Sequence, residues 1–282
     1  SQLWVFKGVT LNSTGRQEEA FKAFEKALEI FPQNTDALMW KGEALENQGR
    51  YGEAVESYDM AIEVAPPIPA AKASALNSKG DALMGLGSYQ GAYDAYEEAN
   101  ELSSNSTDDA GKFHLAAALR GEGNALAKLR DYNESLQAFD KAIELTAENA
   151  AYAWTGKGDA LRDAGRYDES VKAYDKALEL FPEHADAVIA RAQKGRGDSL
   201  TKLGKRDEAL AAYSAAVEAS NRAISAFNNA TPLDRAVSFT FDPYPLDGEF
   251  WHNRALALHA LGRESEADAA YAEANGLRKS EI

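Results

Sequence analysis

Few side chains in this sequence have the types and spacing that catalysis or metal binding would need. Glu249 and His252 lie three residues apart, which is one face of a helix, but His259 follows two turns later, about 10 Å along the axis. This spacing indicates ordinary polar positions rather than metal ligands. No nucleophile with a base partner can be identified, so we expect no enzyme.

Two glycine-containing motifs also invite a functional interpretation. The Gly-x-Gly pairs lack the third glycine, the preceding strand and the helix start of a phosphate-binding loop. Arg196-Gly197-Asp198 spells an adhesion tripeptide, but Gly197 falls on a predicted packing position inside a helix. We therefore expect neither function from these motifs, and we expect the protein to work without a cofactor or a metal.

The composition limits the classes of protein. A formal net charge of −15 argues against a nucleic-acid binder, which would show a basic field. The chain has no cysteine, which excludes disulfides and thiolate chemistry, and no apolar run approaches the length of a membrane span. No signal segment is visible. Because the sequence starts at Ser1 without an initiator Met, we expect a piece of a longer protein.

The elements that must position any site are visible in residues 151–182, AYAWTGKGDALRDAGRYDESVKAYDKALELFP. Trp154, Gly158 and Leu161 form one stripe of a first helix. Gly165 suits the left-handed residue that follows a helix end, and Asp168 is suited to cap a second helix, which Pro182 ends. The stretch predicts two short helices joined by a tight turn, each too short to be stable alone.

This unit occurs seven times. Aligned on the glycine of the first helix, every copy has an aromatic residue sixteen positions later and an alanine nineteen positions later. The glycines are Gly8, Gly42, Gly80, Gly123, Gly158 and Gly197, with Ala255 in the seventh copy; the aromatic residues are Phe24, Tyr58, Tyr96, Phe139, Tyr174, Tyr213 and Tyr271; the alanines are Ala27, Ala61, Ala99, Ala142, Ala177, Ala216 and Ala274.

The pattern resembles the tetratricopeptide repeat, which places glycine, small, aromatic, alanine and proline residues at fixed positions. The resemblance implies an all-α fold: one right-handed superhelical solenoid of stacked antiparallel helix pairs over residues 1–282. The predicted repeats cover approximately 1–34, 35–68, 73–106, 116–149, 151–184, 190–229 and 248–276. Repeat four departs from the pattern at Arg130 and Ser135, where glycine and alanine are usual.

Residues 231–250 interrupt the repeats with three prolines and no helical period. Loops of this length are functional or disordered in most compact domains, and four aromatic residues favour an ordered loop. The loop either covers exposed core or enters the concave groove and regulates it. No polar capping helix follows the seventh repeat.

The resemblance also implies which positions of each first helix line the concave groove. They offer apolar and acidic residues in repeats one and two, and a locally basic group in repeats four to six, where an acidic or carboxylate segment of a partner would bind. The alternative is that these charges pair with one another. The predicted groove residues are Phe6, Met39, Trp40, Arg120, Asn124, Lys128, Arg162, Arg191, Lys194 and Lys202, with Val5, Val9, Glu43, Glu46, Asp159, Asp163 and Asp198 beside them.

Some members of this family clamp a C-terminal carboxylate with bases and asparagines on three repeats. Arg120, Asn124 and Arg191 match that arrangement, but Gly156 and Gly195 stand where an asparagine and a base are needed, so the clamp is incomplete. Gly121, Gly156 and Gly195 also cost helix stability. Close approach of a ligand backbone, tighter packing of the superhelix, or plain tolerance would each explain them.

The sequence gives two alternatives for the compartment. Asn-x-Ser/Thr sequons occur at Asn12, Asn105, Asn133 and Asn229, beside predicted turns, which is compatible with an exported or cell-surface protein. Sequons are weak motifs that chance also produces, so the cytoplasm is favoured.

Two functional hypotheses follow. The favoured one is a non-enzymatic scaffold for protein–protein interaction, which binds an extended peptide or partner segment in the concave groove. The alternative is a structural, self-assembling repeat protein that associates through its uncapped ends or through the 231–250 loop.

Overall fold

The computed structural model describes residues 1–14, 16–106, 108–145, 147–181, 185–229 and 249–279. These residues form fourteen α-helices and no strand, so the predicted all-α class of helix pairs is confirmed. The helices are α1 (Gln2–Ser13), α2 (Gln17–Ile30), α3 (Thr35–Asn47), α4 (Tyr51–Val64), α5 (Pro69–Gly85), α6 (Tyr89–Ser103), α7 (Asp109–Leu129), α8 (Tyr132–Leu145), α9 (Ala147–Asp163), α10 (Tyr167–Leu180), α11 (Asp186–Lys202), α12 (Arg206–Asn229), α13 (Glu249–Ala260) and α14 (Glu264–Lys279).

The helices fall into two compact units. Unit 1 comprises Ser1–Leu129 and holds α1 to α7; unit 2 comprises Arg130–Asn229 and the described residues 249–279 and holds α8 to α14. Inside each unit every helix packs on its neighbours in the chain. The single solenoid over the whole chain and the repeat limits stay predictions.

In unit 1 the hairpins are held together by an aromatic ring against a glycine. A Cβ added at Gly42 would lie 2.5 Å from the Tyr58 ring, and one added at Gly80 would lie 2.5 Å from the Tyr96 ring. Real atoms do not approach so closely, so only glycine lets the two helices of a hairpin meet at this spacing. Each tyrosine is almost fully buried, and burying such a side chain stabilises the fold by roughly 1.5–3 kcal/mol.

Unit 2 repeats the arrangement. Tyr174 covers Gly158 and Tyr213 covers Gly197, each leaving less than 3 Å for an added Cβ. A hydroxyl adds to this packing: buried Ser170 donates to the carbonyl of Gly158 at 2.8 Å and contacts Ser199 of α11 at 2.9 Å. We call Tyr58, Tyr96, Tyr174 and Tyr213 the wedge tyrosines, and the glycine under each one its repeat glycine.

The turn inside each hairpin needs a left-handed residue. Gly165 has φ +77°, as predicted, and Arg130 takes φ +70° at the matching position between α7 and α8, although a side chain disfavours that conformation. The predicted cap was wrong: α10 begins at Tyr167, so Asp168 lies inside its first turn, and no side chain caps this helix. The first-turn carboxylates still stabilise the helix through its dipole, and Glu169 also binds Arg166 at 2.6 Å.

Some predictions fall outside the described residues. These are residues 231–248 of the predicted inserted loop, and Pro182 at the end of the fifth repeat. The helix that follows the loop begins at Glu249.

Candidate functional site

The first helices of the hairpins carry carboxylates that accept hydrogen bonds from the wedge tyrosines. In three hairpins the carboxylate directly follows the repeat glycine and comes fifteen residues before its tyrosine. A buried phenol hydroxyl needs an acceptor, so the pairing fixes both side chains. The pairs are Tyr96–Asp81 (2.6 Å), Tyr174–Asp159 (2.6 Å) and Tyr213–Asp198 (3.0 Å).

In unit 2 the network centres on Asp159 of α9. Besides the bond from Tyr174, Asp159 forms ion pairs with Arg162 of the same helix (2.8 Å) and Arg191 of α11 (2.9 Å). Burial alone raises the pKa of Asp159, but the two guanidinium groups and the tyrosine outweigh burial and hold that pKa below its ordinary value. Asp159 is therefore ionised, and it ties α9 to α11.

The other predicted bases of unit 2 also have acidic partners. Arg162 donates to Asp163 through Nε (3.2 Å) and Nη2 (3.1 Å), and Lys194 lies 2.8 Å from Asp198. All of these side chains are partly exposed. The structure therefore shows Arg162, Arg191 and Lys194 paired with the neighbouring acids, which is the alternative that the sequence left open.

A cleft of about 320 Å³ opens beside this network. Lys202, at the end of α11, is exposed and forms no ion pair with any residue that the structure describes. Burial raises the pKa of Tyr213 to about 12, so its hydroxyl stays protonated. The cleft thus offers hydroxyl groups, one paired guanidinium, one unpaired ammonium and two carboxylates that already pair with bases. Its lining is Arg162, Asp163, Tyr167, Asp198, Thr201, Lys202 and Tyr213.

The matching surface of unit 1 is acidic. Tyr58 donates to Glu46 at 2.9 Å, whereas Glu43 has no hydrogen-bond partner among the described residues. Burial raises the pKa of Glu43 to about 7. Burial and repulsion from Asp81 place the pKa of Glu46 well above its ordinary range. Burial also raises the pKa of Asp81, although Arg120 partly opposes this.

The remaining predicted groove residues are distributed over unit 1. Asn124 and Lys128 share α7 with Arg120; Asn124 is partly buried and Lys128 is exposed. Trp40 packs against the core of the first hairpin, and Met39 packs against the core around Tyr58. Phe6 is 72% exposed. The apolar residues therefore do not form one continuous open surface.

The glycines predicted to face the groove have a different role. A Cβ at Gly121 would lie 2.3 Å from the Tyr96 ring, and one at Gly195 would lie 2.4 Å from the Tyr174 hydroxyl. Both glycines are buried against the wedge tyrosine of the preceding hairpin. Of the three explanations that the sequence left open for these glycines, tight packing between hairpins is the one that accounts for Gly121 and Gly195.

The histidines of the seventh hairpin make ordinary contacts. The His252 ring meets the Tyr271 ring edge-on at 5.8 Å, and His259 Nδ1 lies 2.7 Å from Glu264. Within the described ranges, no three His, Cys, Asp or Glu side chains are grouped so that they could hold a metal ion. Of the helices that the structure describes, none combines the length and the apolarity of a membrane span.

Sequence analysis missed the role of the wedge tyrosines as donors. Part of the signal was available: in copies three, five and six an aspartate directly follows the repeat glycine, whereas Tyr58 of copy two donates to Glu46, four residues after Gly42, and the seventh copy has Leu256 with Tyr271. The two copies with phenylalanine carry Val9 or Asn124 there. A phenylalanine ring has no hydroxyl to satisfy, so these two copies need no acceptor at that position.

Fold and site together define a class of protein: stacked helical hairpins with aromatic wedges between helices and a polar surface on the first helices. The tetratricopeptide repeat family matches residues 14–69, 120–185 and 155–224 with one profile, and residues 73–106 and 248–281 with another. These matches cover most of the chain. The chain belongs to the tetratricopeptide repeat family.

Solved structures agree with this assignment. A tetratricopeptide repeat protein from Parabacteroides merdae is 20% identical, with a TM-score of 0.60 over 98% of this chain and 92% of that one. A Rap protein complexed with competence and sporulation factor is 15% identical, with a TM-score of 0.62 over 94% and 80%. At these identities the likeness shows the fold alone. Comparison with curated protein sequences gives no significant match.

Proposed function

We propose that the protein is a non-enzymatic scaffold that holds an extended segment of a partner protein along its first helices, in the predicted concave groove. Repeat proteins of this family generally serve protein–protein interaction. The observation that carries the proposal is that the first and second helices of each hairpin have different roles. Second helices supply the buried wedge tyrosines, whereas in unit 2 the first helices α9 and α11 carry the partly exposed network of Asp159, Arg162 and Arg191.

In unit 2 the proposed ligand group is an acidic side chain or a terminal carboxylate that enters the cleft. Lys202 supplies an ammonium that has no acidic partner among the described residues, and the hydroxyl of Thr201 lines the same cleft. Arg162 is already held in place by Asp159 and Asp163. A side chain fixed in this way loses little entropy on binding, which favours affinity.

Arg191 and Lys194 contribute to the proposed site through their positive charge, which attracts the carboxylate of the ligand. Each of them is about a quarter exposed; Arg191 pairs with Asp159 and Lys194 pairs with Asp198. An incoming carboxylate can share these cations without breaking the pairs, because lysine and arginine carry several N–H donors. On α7 in unit 1, Arg120, Asn124 and Lys128 are proposed to contact the partner separately.

The proposed compartment is the cytoplasm. Of the sequon asparagines, Asn12 is partly buried in α1 and its Oδ1 atom is fully buried, which disfavours a glycan there. Asn105 and Asn133 are exposed. Treatment with an endoglycosidase that leaves the mass of the natural protein unchanged would support the proposal, and a loss of mass would contradict it.

The ligand proposal is tested by selection from a random peptide library with free carboxyl termini. We expect the enriched peptides to carry an acidic residue or to depend on the terminal carboxylate. Lys202→Glu should weaken their binding at least about tenfold, since it places like charges together. Lys205→Glu makes the same charge change outside the cleft and should leave binding within about twofold. Failure to enrich any peptide, or equal loss in both variants, would contradict the proposal.

A further inference from the structure

Three carboxyl groups lie close together on the first helices of unit 1. Glu43 and Glu46 are one turn apart on α3, and Asp81 lies on α5, which contacts α3. Besides burial, the charges of Asp81 and Glu43 raise the pKa of Glu46, so the three groups are near enough to repel one another. Burial also raises the pKa of Asp81, and Arg120 of α7 partly offsets this. We call Glu43, Glu46 and Asp81 the acidic cluster.

The acidic cluster lies where a ligand can reach it. Asp81 is exposed, and Glu43 and Glu46 are partly exposed. Burial nevertheless raises the pKa of all three groups, as expected on a recessed surface where the surrounding protein displaces much of the water. Carboxylates in such a place are poorly stabilised by solvent and interact strongly with a cation.

Unit 2 shows the same positions with their bases in place. Asp159 follows its repeat glycine directly, as Glu43 does. It pairs with Arg162 at 2.8 Å and with Arg191 at 2.9 Å, and Lys194 forms a further ion pair on α11. Counted from the repeat glycine, the positions of Arg162, Arg191 and Lys194 are occupied in the second and third hairpins by Glu46, Ser74 and Asn77. None of these replacements carries a positive charge, so the acidic cluster lacks the bases that unit 2 supplies.

Asn77 independently indicates a missing partner. It lies one turn before Asp81 on α5, and in unit 2 the residue at this register, Lys194, reaches the aspartate four positions later at 2.8 Å. This register therefore faces the carboxyl group. Asn77 is only 8% exposed and donates through Nδ2 to the carbonyl of His114 at 3.1 Å, but its buried Oδ1 has no hydrogen-bond partner among the described residues. A buried oxygen without a donor costs stability, and a ligand N–H group at this register would satisfy it.

The ligand that fits these acceptors is an organic cation. Within the ranges that the structure describes, no three His, Cys, Asp or Glu side chains are grouped so that they could hold a metal ion. An ammonium or guanidinium group instead brings several N–H donors, which carboxylates and an amide oxygen can share. We propose that the acidic cluster and Asn77 bind a lysine or arginine side chain of the partner segment. This inference rests on the proposed function, because the side chain belongs to the segment that the scaffold holds.

Three libraries of random peptides test the site. The peptides are acetylated and amidated, so that neither terminal group contributes, and the libraries differ in one fixed residue: lysine, arginine or the uncharged norleucine. At pH 8 we expect peptides with the fixed lysine or arginine to be enriched at least about tenfold over those with norleucine, because the ionised side chain forms charge-assisted hydrogen bonds with the carboxylates.

Variants then assign the preference to the acidic cluster. Glu43→Gln and Asp81→Asn should each weaken binding of a selected basic peptide at least about tenfold, because each removes a charge and keeps the shape of the side chain. Glu56→Gln is the matched control on the exposed side of α4 and should leave binding within about twofold. A norleucine analogue of the same peptide should bind the natural chain and Glu43→Gln equally, which a loss of folding would not produce.

The outcomes separate this site from the scaffold. Enrichment without preference for a basic residue would overturn the cation site and leave the scaffold intact. So would basic peptides whose binding Glu43→Gln leaves unchanged, or equal losses in Glu43→Gln and Glu56→Gln. If no library yields a bound peptide, the scaffold and the cation site are both contradicted.

Discussion

Replacing Glu43 by glutamine should change how the stability of unit 1 depends on pH. Burial raises the pKa of Glu43 from 4.5 to about 7 in the folded protein. Between these pH values the folded chain keeps a proton that the unfolded chain has lost. The stabilising contribution is therefore fully present below pH 4.5, and it is lost as the pH rises to about 7. Glutamine has nearly the same shape and does not titrate, so Glu43→Gln removes this loss.

The size of the effect follows from the pKa. Each pH unit is worth ~1.4 kcal/mol, so the interval from 4.5 to about 7 sets a ceiling of about 3.5 kcal/mol. Glu43 keeps some contact with solvent, and Glu46 titrates beside it, which lowers the expected value to about 1–2 kcal/mol. Above pH 7.5 the variant should be more stable than the natural chain by this amount; near pH 4 the two should agree.

Urea denaturation, followed by circular dichroism at a series of pH values, gives the free energy of unfolding of the natural chain and of the Glu43→Gln variant. Glu56→Gln, on the exposed side of α4, is the control and should leave the difference between pH 4 and pH 8 unchanged. If Glu43→Gln and Glu56→Gln have the same pH dependence as the natural chain, the account of a buried, unpaired carboxyl group is refuted.

Three further substitutions and one control test the turn conformation and the packing. Arg130→Gly should raise the free energy of unfolding by about 0.5–1 kcal/mol, because φ is +70° there and glycine adopts this conformation freely; a loss of stability in a thermal melt would contradict it. Gly195→Ala should cost about 1–3 kcal/mol through the clash with Tyr174, whereas Gly52→Ala, with nothing within 4 Å, should gain a few tenths of a kcal/mol or more. Tyr174→Phe should cost about 1–3 kcal/mol by leaving Asp159 one donor short, and an unchanged denaturation midpoint would refute that role.

The hairpins were predictable because packing in this fold is local in sequence. The separation of sixteen residues between glycine and aromatic ring spans one turn, so Gly158 and Tyr174 meet inside one hairpin whatever the rest of the chain does. The turn followed in the same way: Gly165 was expected to be the left-handed residue after the first helix, and its φ is +77°. The turn at Arg130 was recognised as a departure, but its positive φ could only come from the structure.

The site was less predictable, because it depends on contacts between hairpins. Arg191 and Asp159 are thirty-two residues apart, and nothing in the sequence near either residue shows that they pair. The role of Gly195 could not be decided from the sequence for the same reason, since the tyrosine that occupies the space beside it belongs to the preceding hairpin. Residues chosen only by their position in the repeat look like a basic surface. In the structure these bases form ion pairs with neighbouring acids.

Lysine footprinting of the protein in complex with a library-selected peptide tests the central claim, that first helices bind and second helices pack. Acetylation rates are measured by mass spectrometry with and without the peptide. The account predicts that Lys194 and Lys202 on α11 become protected, while Lys172 and Lys176 on α10 react at unchanged rates. Protection confined to Lys172 and Lys176, with Lys194 and Lys202 unaffected, would contradict it.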